Sequence, residues 1–158
     1  MNMDNHSEGQ LLYERQLLLC MTVFLNAIQM YAQWANKAIS SVKVSQDAKF
    51  RDGMEELILV IKNCGVQFQK LPHPSADADE VDHLIRDLGK NIEGFSASLG
   101  GLSGECDPQK RRQQGLTLEM QTVAIKQEYR QFVDLYERKY PGRLAAALGS
   151  MKETLSSI

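Results

Sequence analysis

Near the start of the chain, apolar residues form a stripe that repeats at steps of three and four residues. Ten positions from Leu11 to Val42 follow this spacing, and nine of them are apolar, the exception being Glu14. Residues three and four apart share one face of an α-helix, whereas a strand brings alternate residues to one face. The stripe therefore predicts a long amphipathic helix over about 8–44, with Ser7 as its N-cap.

The same spacing recurs in four later segments, each bounded by residues that begin or end helices. Pro72 follows the second segment, Gly100–Gly101 the third and Pro141–Gly142 the fourth. Asp107 followed by Pro108 is typical of a helix start, because proline at the first helical position sacrifices no hydrogen bond. The predicted helices cover about 46–71, 75–99, 108–140 and 143–157.

The pattern predicts an all-α fold in one domain, residues 1–158. Short connections after the first two helices favour antiparallel neighbours, which gives an up-down-up-down four-helix bundle with a short fifth, C-terminal helix. A chain of 158 residues can bury about 70% of the surface that its unfolded form exposes. We therefore expect it to fold without a metal ion or disulfide.

Cysteine usage and the N-terminal residues bear on the compartment. The chain has three cysteines at wide spacing, Cys20, Cys64 and Cys106, which predicts reduced thiols and a cytoplasmic protein. An apolar run over 17–28 follows acidic residues rather than the basic region of a signal peptide. Asn26 interrupts this run well short of the length that spans a bilayer, so no membrane association is expected.

Four apolar residues are left over on the first helix after its core-facing stripe is assigned. They follow each other at steps of seven, four and seven, so they share a face roughly opposite that stripe. Leaving them in water forgoes about 1.5–3 kcal/mol for each side chain. The fifth helix, a second copy of the chain or a different protein could cover them. This candidate interaction surface consists of Leu12, Leu19, Val23 and Met30.

Charge is segregated along a chain whose overall formal charge is only −2. The segment 75–99 has six acidic and two basic residues, and the segment 108–143 has eight basic and four acidic ones. The two helices either complement each other, or the second presents a basic surface to an acidic protein or nucleic acid. Its densest basic patch is Lys110, Arg111 and Arg112. No aromatic residues are interleaved there for base stacking, which argues against nucleic-acid binding.

His83 is the candidate residue for chemistry, since Asp79 and Asp87 lie four residues before and after it on one helix face. Such a strip could bind a metal or act in acid–base catalysis. The segment from His83 to Gly89 loosely resembles histidine-phosphotransfer modules, whose exposed histidine is followed three and four residues later by a basic residue and a glycine. Arg86 matches the basic position, but Asp87 replaces the glycine and would repel phosphate.

The sequence contains no phosphate-binding glycine loop, no zinc-protease or di-iron histidine motif and no glycine-flanked serine nucleophile. We therefore expect a non-enzymatic protein–protein interaction module without a cofactor or metal: an adaptor, chaperone, regulator or complex subunit. Its partner is another protein or a second copy, so a homodimer is possible. The alternatives are a phosphotransfer-like or metal-dependent bundle using His83, and a weak nucleic-acid binder using the fourth helix.

Overall fold

A computed structural model describes residues 2–40, 48–71 and 79–156, and these form five helices and no strand. Side chains are described for 8–33, 49, 51–71, 80–149 and 151–152. The predicted all-α class is confirmed. The helices are α1 (Asn2–Ser40), α2 (Ala48–Gln69), α3 (Asp79–Gly104), α4 (Pro108–Lys139) and α5 (Arg143–Ser156).

The helices bury a common core. α2 and α3 share the most extensive contact, followed by α3 and α4, while α1 contacts α2, α4 and α5. The buried side chains follow the three- and four-residue spacing of each helix, so burial rather than intrinsic helix propensity accounts for most of the helical stability. Fully buried members include Leu17 and Phe24 of α1, Ile61 and Phe68 of α2, Ile85, Leu88, Ile92 and Phe95 of α3, and Phe132 and Tyr136 of α4.

Two glycines allow α2 and α3 to approach closely. A Cβ atom added to Gly65 would lie 2.7 Å from the carbonyl oxygen of Gly89, and one added to Gly89 would lie 2.6 Å from that of Gly65. These distances are too short for any side chain, so glycine at both positions sets how closely the two helices pack. Gly94, the next glycine of α3 after Gly89, has open space where a Cβ atom would lie.

The predicted boundaries of α4 are confirmed. The Asp107 side chain accepts a hydrogen bond from the amide of Gln109 at 3.1 Å, and Pro108 is the first helical residue. Among the described residues, Gly142 is the one glycine with positive φ, at 77°. It lets the chain turn after Tyr140 and begin α5, as the Pro141–Gly142 pair predicts.

Two predicted boundaries were wrong. α3 does not end at Gly100–Gly101 but continues to Gly104, because Leu102 extends its apolar face and is 1% exposed. Burial of Leu102 offsets a helix-propensity cost of about 1 kcal/mol for each glycine. α1 begins at Asn2 rather than near residue 8. Its predicted end at 44, like Pro72, lies outside the described residues.

The core-facing line of α1 lies along one edge of the predicted apolar face, which the spacing extends from the stripe to Leu17, Phe24 and Tyr31; Met21 and Ile28 of the stripe are buried with them. Leu17, Phe24 and Tyr31 are buried, whereas Leu18 and Leu25 of the predicted line are only half-buried. The reason is aromatic packing. Phe24 and Tyr31 both lie edge-on to the ring of Phe95 in α3, with centroids 6.3 and 5.7 Å apart, and such rings bury more area than leucine.

Candidate functional site

The four residues of the candidate interaction surface are all exposed. Leu12 is 57% exposed, Leu19 55%, Val23 37% and Met30 45%. Because α1 is an unbroken helix over these positions, they form one face that points away from the core. The structure thus brings all four predicted residues together on one side of α1.

A groove between α1 and α2 lies at one end of this face. Val23 and Met30 of α1 and Val60 of α2, which is 39% exposed, form its walls. Leu57 contributes to the lining, and Glu56 is its charged member. The groove has a volume of about 280 Å³ and is mostly apolar. We call the exposed face of α1 and this opening together the α1–α2 groove.

Sequence reasoning missed the contribution of α2. Leu59 and Val60 are adjacent exposed apolar residues, at 57% and 39%, outside the core spacing of α2. Both directly precede Ile61, which is fully buried, so they fall outside the core-facing line of α2. This was the signal that could have identified them as exposed. Without the packing angle of α1 against α2, the sequence could not show that Val60 borders the same groove as Val23.

α5 packs on α1 but does not cover this face. Among the described side chains of α5, Leu144 and Ala147 are the buried ones, at 9% and 0% exposure. Arg143, at the start of α5, pairs with Glu14 on the core-facing side of α1. Of the three predicted coverings, a second copy and a different protein therefore remain.

The contact of α5 with α1 is organised by a buried polar cluster that the sequence did not reveal. Two nitrogens of the Arg143 guanidinium, Nε and Nη2, donate to Glu14 Oε2 and Oε1, each at 3.0 Å. The Tyr136 hydroxyl donates to Glu14 at 2.5 Å and accepts from the Gln10 amide at 3.2 Å. Burial raises the pKa of Tyr136, and its hydrogen bond to Glu14 raises it further, so it remains a donor. The signal was Glu14 itself, the one charged member of an apolar stripe.

The strip on α3 is only partly assembled. His83 Nε2 lies 3.4 Å from Asp87 Oδ2, and the two side chains are 73% and 47% exposed. The Asp79 side chain lies outside the described residues. A broad hollow of about 560 Å³ adjoins His83, lined also by Leu84 and, across from α3, Leu135 of α4. Within the described part of the chain, no three His, Cys, Asp or Glu side chains are grouped to hold a metal ion.

The predicted basic patch is not continuous, which corrects the expectation for Arg111. Lys110 and Arg112 are exposed, but Arg111 is fully buried. Its Nη1 atom donates to the carbonyl oxygen of Glu105 at 2.5 Å, beyond the end of α3. The guanidinium thus binds a backbone carbonyl oxygen at the C-terminal end of α3, where basic side chains are favoured, and is not part of a surface patch.

A second exposed apolar stripe lies on α4 and was not predicted. Leu116 is 61% exposed, Met120 74% and Val123 56%. Their spacing of four and three residues places them on one face, opposite the buried Leu118 and Ile125. We call these three residues the α4 stripe.

One described helix segment, Glu8–Gln33 within α1, is long and apolar enough to cross a membrane by length and composition. In the most apolar stretch of 18 residues within this segment, 39% is buried against the other helices. The segment also contains Glu14, which is fully buried in the polar cluster with Arg143.

Comparisons of the chain with models of protein families, with curated protein sequences and with solved structures find no match.

Proposed function

We propose that the chain is a non-enzymatic protein–protein interaction module that binds its partner in the α1–α2 groove. The observation that carries this proposal is the meeting of three exposed apolar side chains, Val23, Met30 and Val60, around one opening. Full burial of an exposed side chain of this size is worth about 1.5–3 kcal/mol, and covering these three, which are 37–45% exposed, would gain the remaining part of that energy. An adaptor, chaperone, regulator or complex subunit would use a surface of this kind.

The shape of the groove favours an amphipathic helix as the bound element. Val23 and Met30 are seven residues apart, which corresponds to about 10 Å along a helix at 1.5 Å per residue. A bound helix presents anchors at steps of three and four residues over the same distance. The charged lining residue Glu56 favours a partner with a basic residue beside its apolar anchors.

Site-specific photo-crosslinking tests the proposal. A photoreactive amino acid at Met30 should cross-link to a protein, whereas the same group at Gln29 should not. Gln29 is exposed on the same turn but lies about 100° around the helix from Met30. Equal protein cross-linking from both positions, or cross-linking from Met30 to lipid alone, would refute the proposal.

Support against a membrane-spanning role comes from the burial of α1. Leu17, Met21 and Phe24 pack in the common core, and Glu14 is paired with Arg143. Insertion into a bilayer would separate these contacts and move a carboxylate into hydrocarbon, which is costly. We therefore propose a water-soluble cytoplasmic protein, and the three free cysteines agree with a reducing compartment.

We further propose that α1–α4 form the antiparallel up-down-up-down bundle expected from the sequence. Consecutive helices contact each other, and α1 also contacts α4, as the closure of such a bundle requires. α5 then lies against α1 as the short additional helix.

A second candidate function uses His83, since Asp87 lies 3.4 Å from its Nε2 atom. A carboxylate at this distance can orient an imidazole as a metal ligand or for acid–base chemistry, whereas its negative charge opposes transfer of a phosphate to His83. The test is incubation with a small phosphodonor, followed by mass spectrometry, together with a Zn²⁺ titration of the protein and of its His83→Gln variant. Absence of a phosphorylated histidine and identical titrations would exclude it.

A further inference from the structure

The α4 stripe has the properties of a ligand for the α1–α2 groove. It continues in both directions into basic residues, so that Arg112, Leu116, Met120, Val123 and Lys126 follow each other at steps of four, four, three and three. All five side chains are exposed. An amphipathic helix face of this kind, apolar in the middle and basic at both ends, is what the groove favours.

We propose that the partner bound in the α1–α2 groove is the α4 stripe of a second copy of this chain. The inference rests on the proposed function, because it names the occupant of the same groove. Contact between the two surfaces would be heterologous: a different patch on each copy takes part.

The two surfaces match in length. Leu116 and Val123 are separated by seven residues, as are Val23 and Met30. Both pairs therefore span about 10 Å along their helices. Met120, between the two ends of the α4 stripe, is 74% exposed, the most exposed of the large apolar side chains among the described residues. It is the natural central anchor, since methionine adapts to irregular apolar openings.

The two surfaces also match in charge. Glu56 lines the groove, and on the same edge of α2 Asp52 lies one turn earlier and Lys49 two turns earlier, so this edge has a net charge of −1. Arg112 and Lys126 lie at the two ends of the α4 stripe. Arg130 adds a third positive charge beside the stripe and Glu119 adds one negative charge, so this side of α4 has a net positive charge. Opposite charges at the rim orient a partner and speed its binding.

An isologous dimer is a poorer solution for the same residues. It would pair the α1–α2 groove with itself and bring Glu56 of the two copies to one interface. The α4 stripe, with Leu116, Met120 and Val123, would remain in water. One heterologous contact covers both exposed apolar surfaces, and because every copy carries both, the contact can repeat into a ring or a filament.

Two single substitutions separate the two sides of the contact. Met30→Glu places a charge in the groove and Met120→Glu places one in the α4 stripe; both positions are exposed, so the fold should persist. The matched controls are Gln29→Glu on α1 and Gln131→Glu on α4, which add the same charge at exposed positions outside the two surfaces. Circular dichroism checks that all four variants remain helical.

Light scattering over a concentration series then gives the molar mass of each protein. The wild type and both controls should associate as concentration rises, and each Met variant alone should remain at the 17.8 kDa monomer mass. An equimolar mixture of the two Met variants should form a dimer of twice that mass, because one supplies an intact groove and the other an intact stripe. This dimer should not grow further.

Other outcomes overturn the inference in distinguishable ways. A wild type that is monomeric throughout, or a mixture that stays monomeric, contradicts self-association through these surfaces. If Met30→Glu abolishes association but Met120→Glu does not, the contact is isologous. In either case, selective cross-linking from Met30 to a protein would leave the proposed function intact, and its absence would remove both.

Discussion

Arg143 Nε and Nη2 each donate a hydrogen bond of 3.0 Å to a different carboxylate oxygen of Glu14, across 129 positions of sequence. The bidentate pair joins the first turn of α5 to the core-facing side of α1. Glu14 is fully buried, whereas the Arg143 side chain is 30% exposed. The two partners therefore differ in what each loses when the other is removed.

Replacing Arg143 by Met should destabilise the protein more than replacing Glu14 by Gln. The first change leaves a buried carboxylate without its cation, which costs about 3–5 kcal/mol. The second leaves a partly exposed guanidinium that can turn to water, so we expect a smaller loss of about 1–3 kcal/mol. Urea unfolding followed by circular dichroism measures both. The double variant should be more stable than Arg143→Met alone; a purely additive result would contradict a specific pair.

The close approach of α2 and α3 predicts opposite effects for one substitution at two glycines. Gly65→Ala should lower the free energy of unfolding by about 1–3 kcal/mol, because its Cβ would lie 2.7 Å from the Gly89 carbonyl oxygen. Gly94→Ala, with nothing within 4 Å, should raise it by about 0.5–1 kcal/mol through helix propensity alone. The same unfolding measurement serves both. Equal stabilisation by the two substitutions would show that the helices separate easily at Gly65.

Much of the fold could be predicted because three- and four-residue spacing determines which positions a helix buries. The spacing found in the segment 108–140 agrees with the burial of Leu118, Ile125 and Phe132 for this reason, and the start of α4 agrees because Asp107 and Pro108 favour a helix N-terminus. Gly100 and Gly101 were misleading, since propensity is a local property and the burial of Leu102 depends on neighbouring helices. A cost of about 1 kcal/mol for each glycine is readily exceeded by tertiary packing.

The candidate site could be predicted only where one helix supplies all of it. Leu12, Leu19, Val23 and Met30 share a helix face, so spacing alone groups them. Val60 borders the same groove from another helix, and its placement depends on packing geometry that periodicity does not encode. The burial of Arg111 was missed for a related reason: its partner is a backbone carbonyl, of Glu105, and side-chain pattern carries no information about it.

The three cysteines should react at well-separated rates. Cys106 is exposed between α3 and α4, while Cys64 is buried. Burial raises the pKa of Cys64 to about 11, with a further contribution from neighbouring Cys20, whose own pKa burial also raises. Since the thiolate is the reactive form, a disulfide reagent at pH 8 should modify one thiol rapidly and two slowly. Cys106→Ser should remove the rapid phase; a rapid phase that persists would contradict the partial burial of Cys20 and the burial of Cys64.

Tyr31 should make the protein less stable in alkali. Burial raises its pKa from 10.0 to about 12, and the negative charge of Glu119 adds to the shift. Between pH 10 and about pH 12 the folded state therefore keeps a proton on Tyr31 that the unfolded state releases. The stability that the protein has below pH 10 falls over this range, because proton release favours the unfolded state. Urea unfolding of the wild type and of Tyr31→Phe, at intervals between pH 9 and pH 12, measures the effect.

The Tyr31→Phe variant should lose less stability than the wild type over this pH window, because phenylalanine has no proton to release. Burial also raises the pKa of Tyr13, Tyr129 and Tyr136, so the variant should retain part of the alkaline loss rather than none. Glu119→Gln supplies an independent control. It removes the nearby negative charge without altering the buried ring, so it should lower the pKa of Tyr31. A larger fraction of the Tyr31 hydroxyl should then be ionised at a given pH. Parallel stability curves for the wild type and Tyr31→Phe would mean that the Tyr31 hydroxyl reaches water in the folded state.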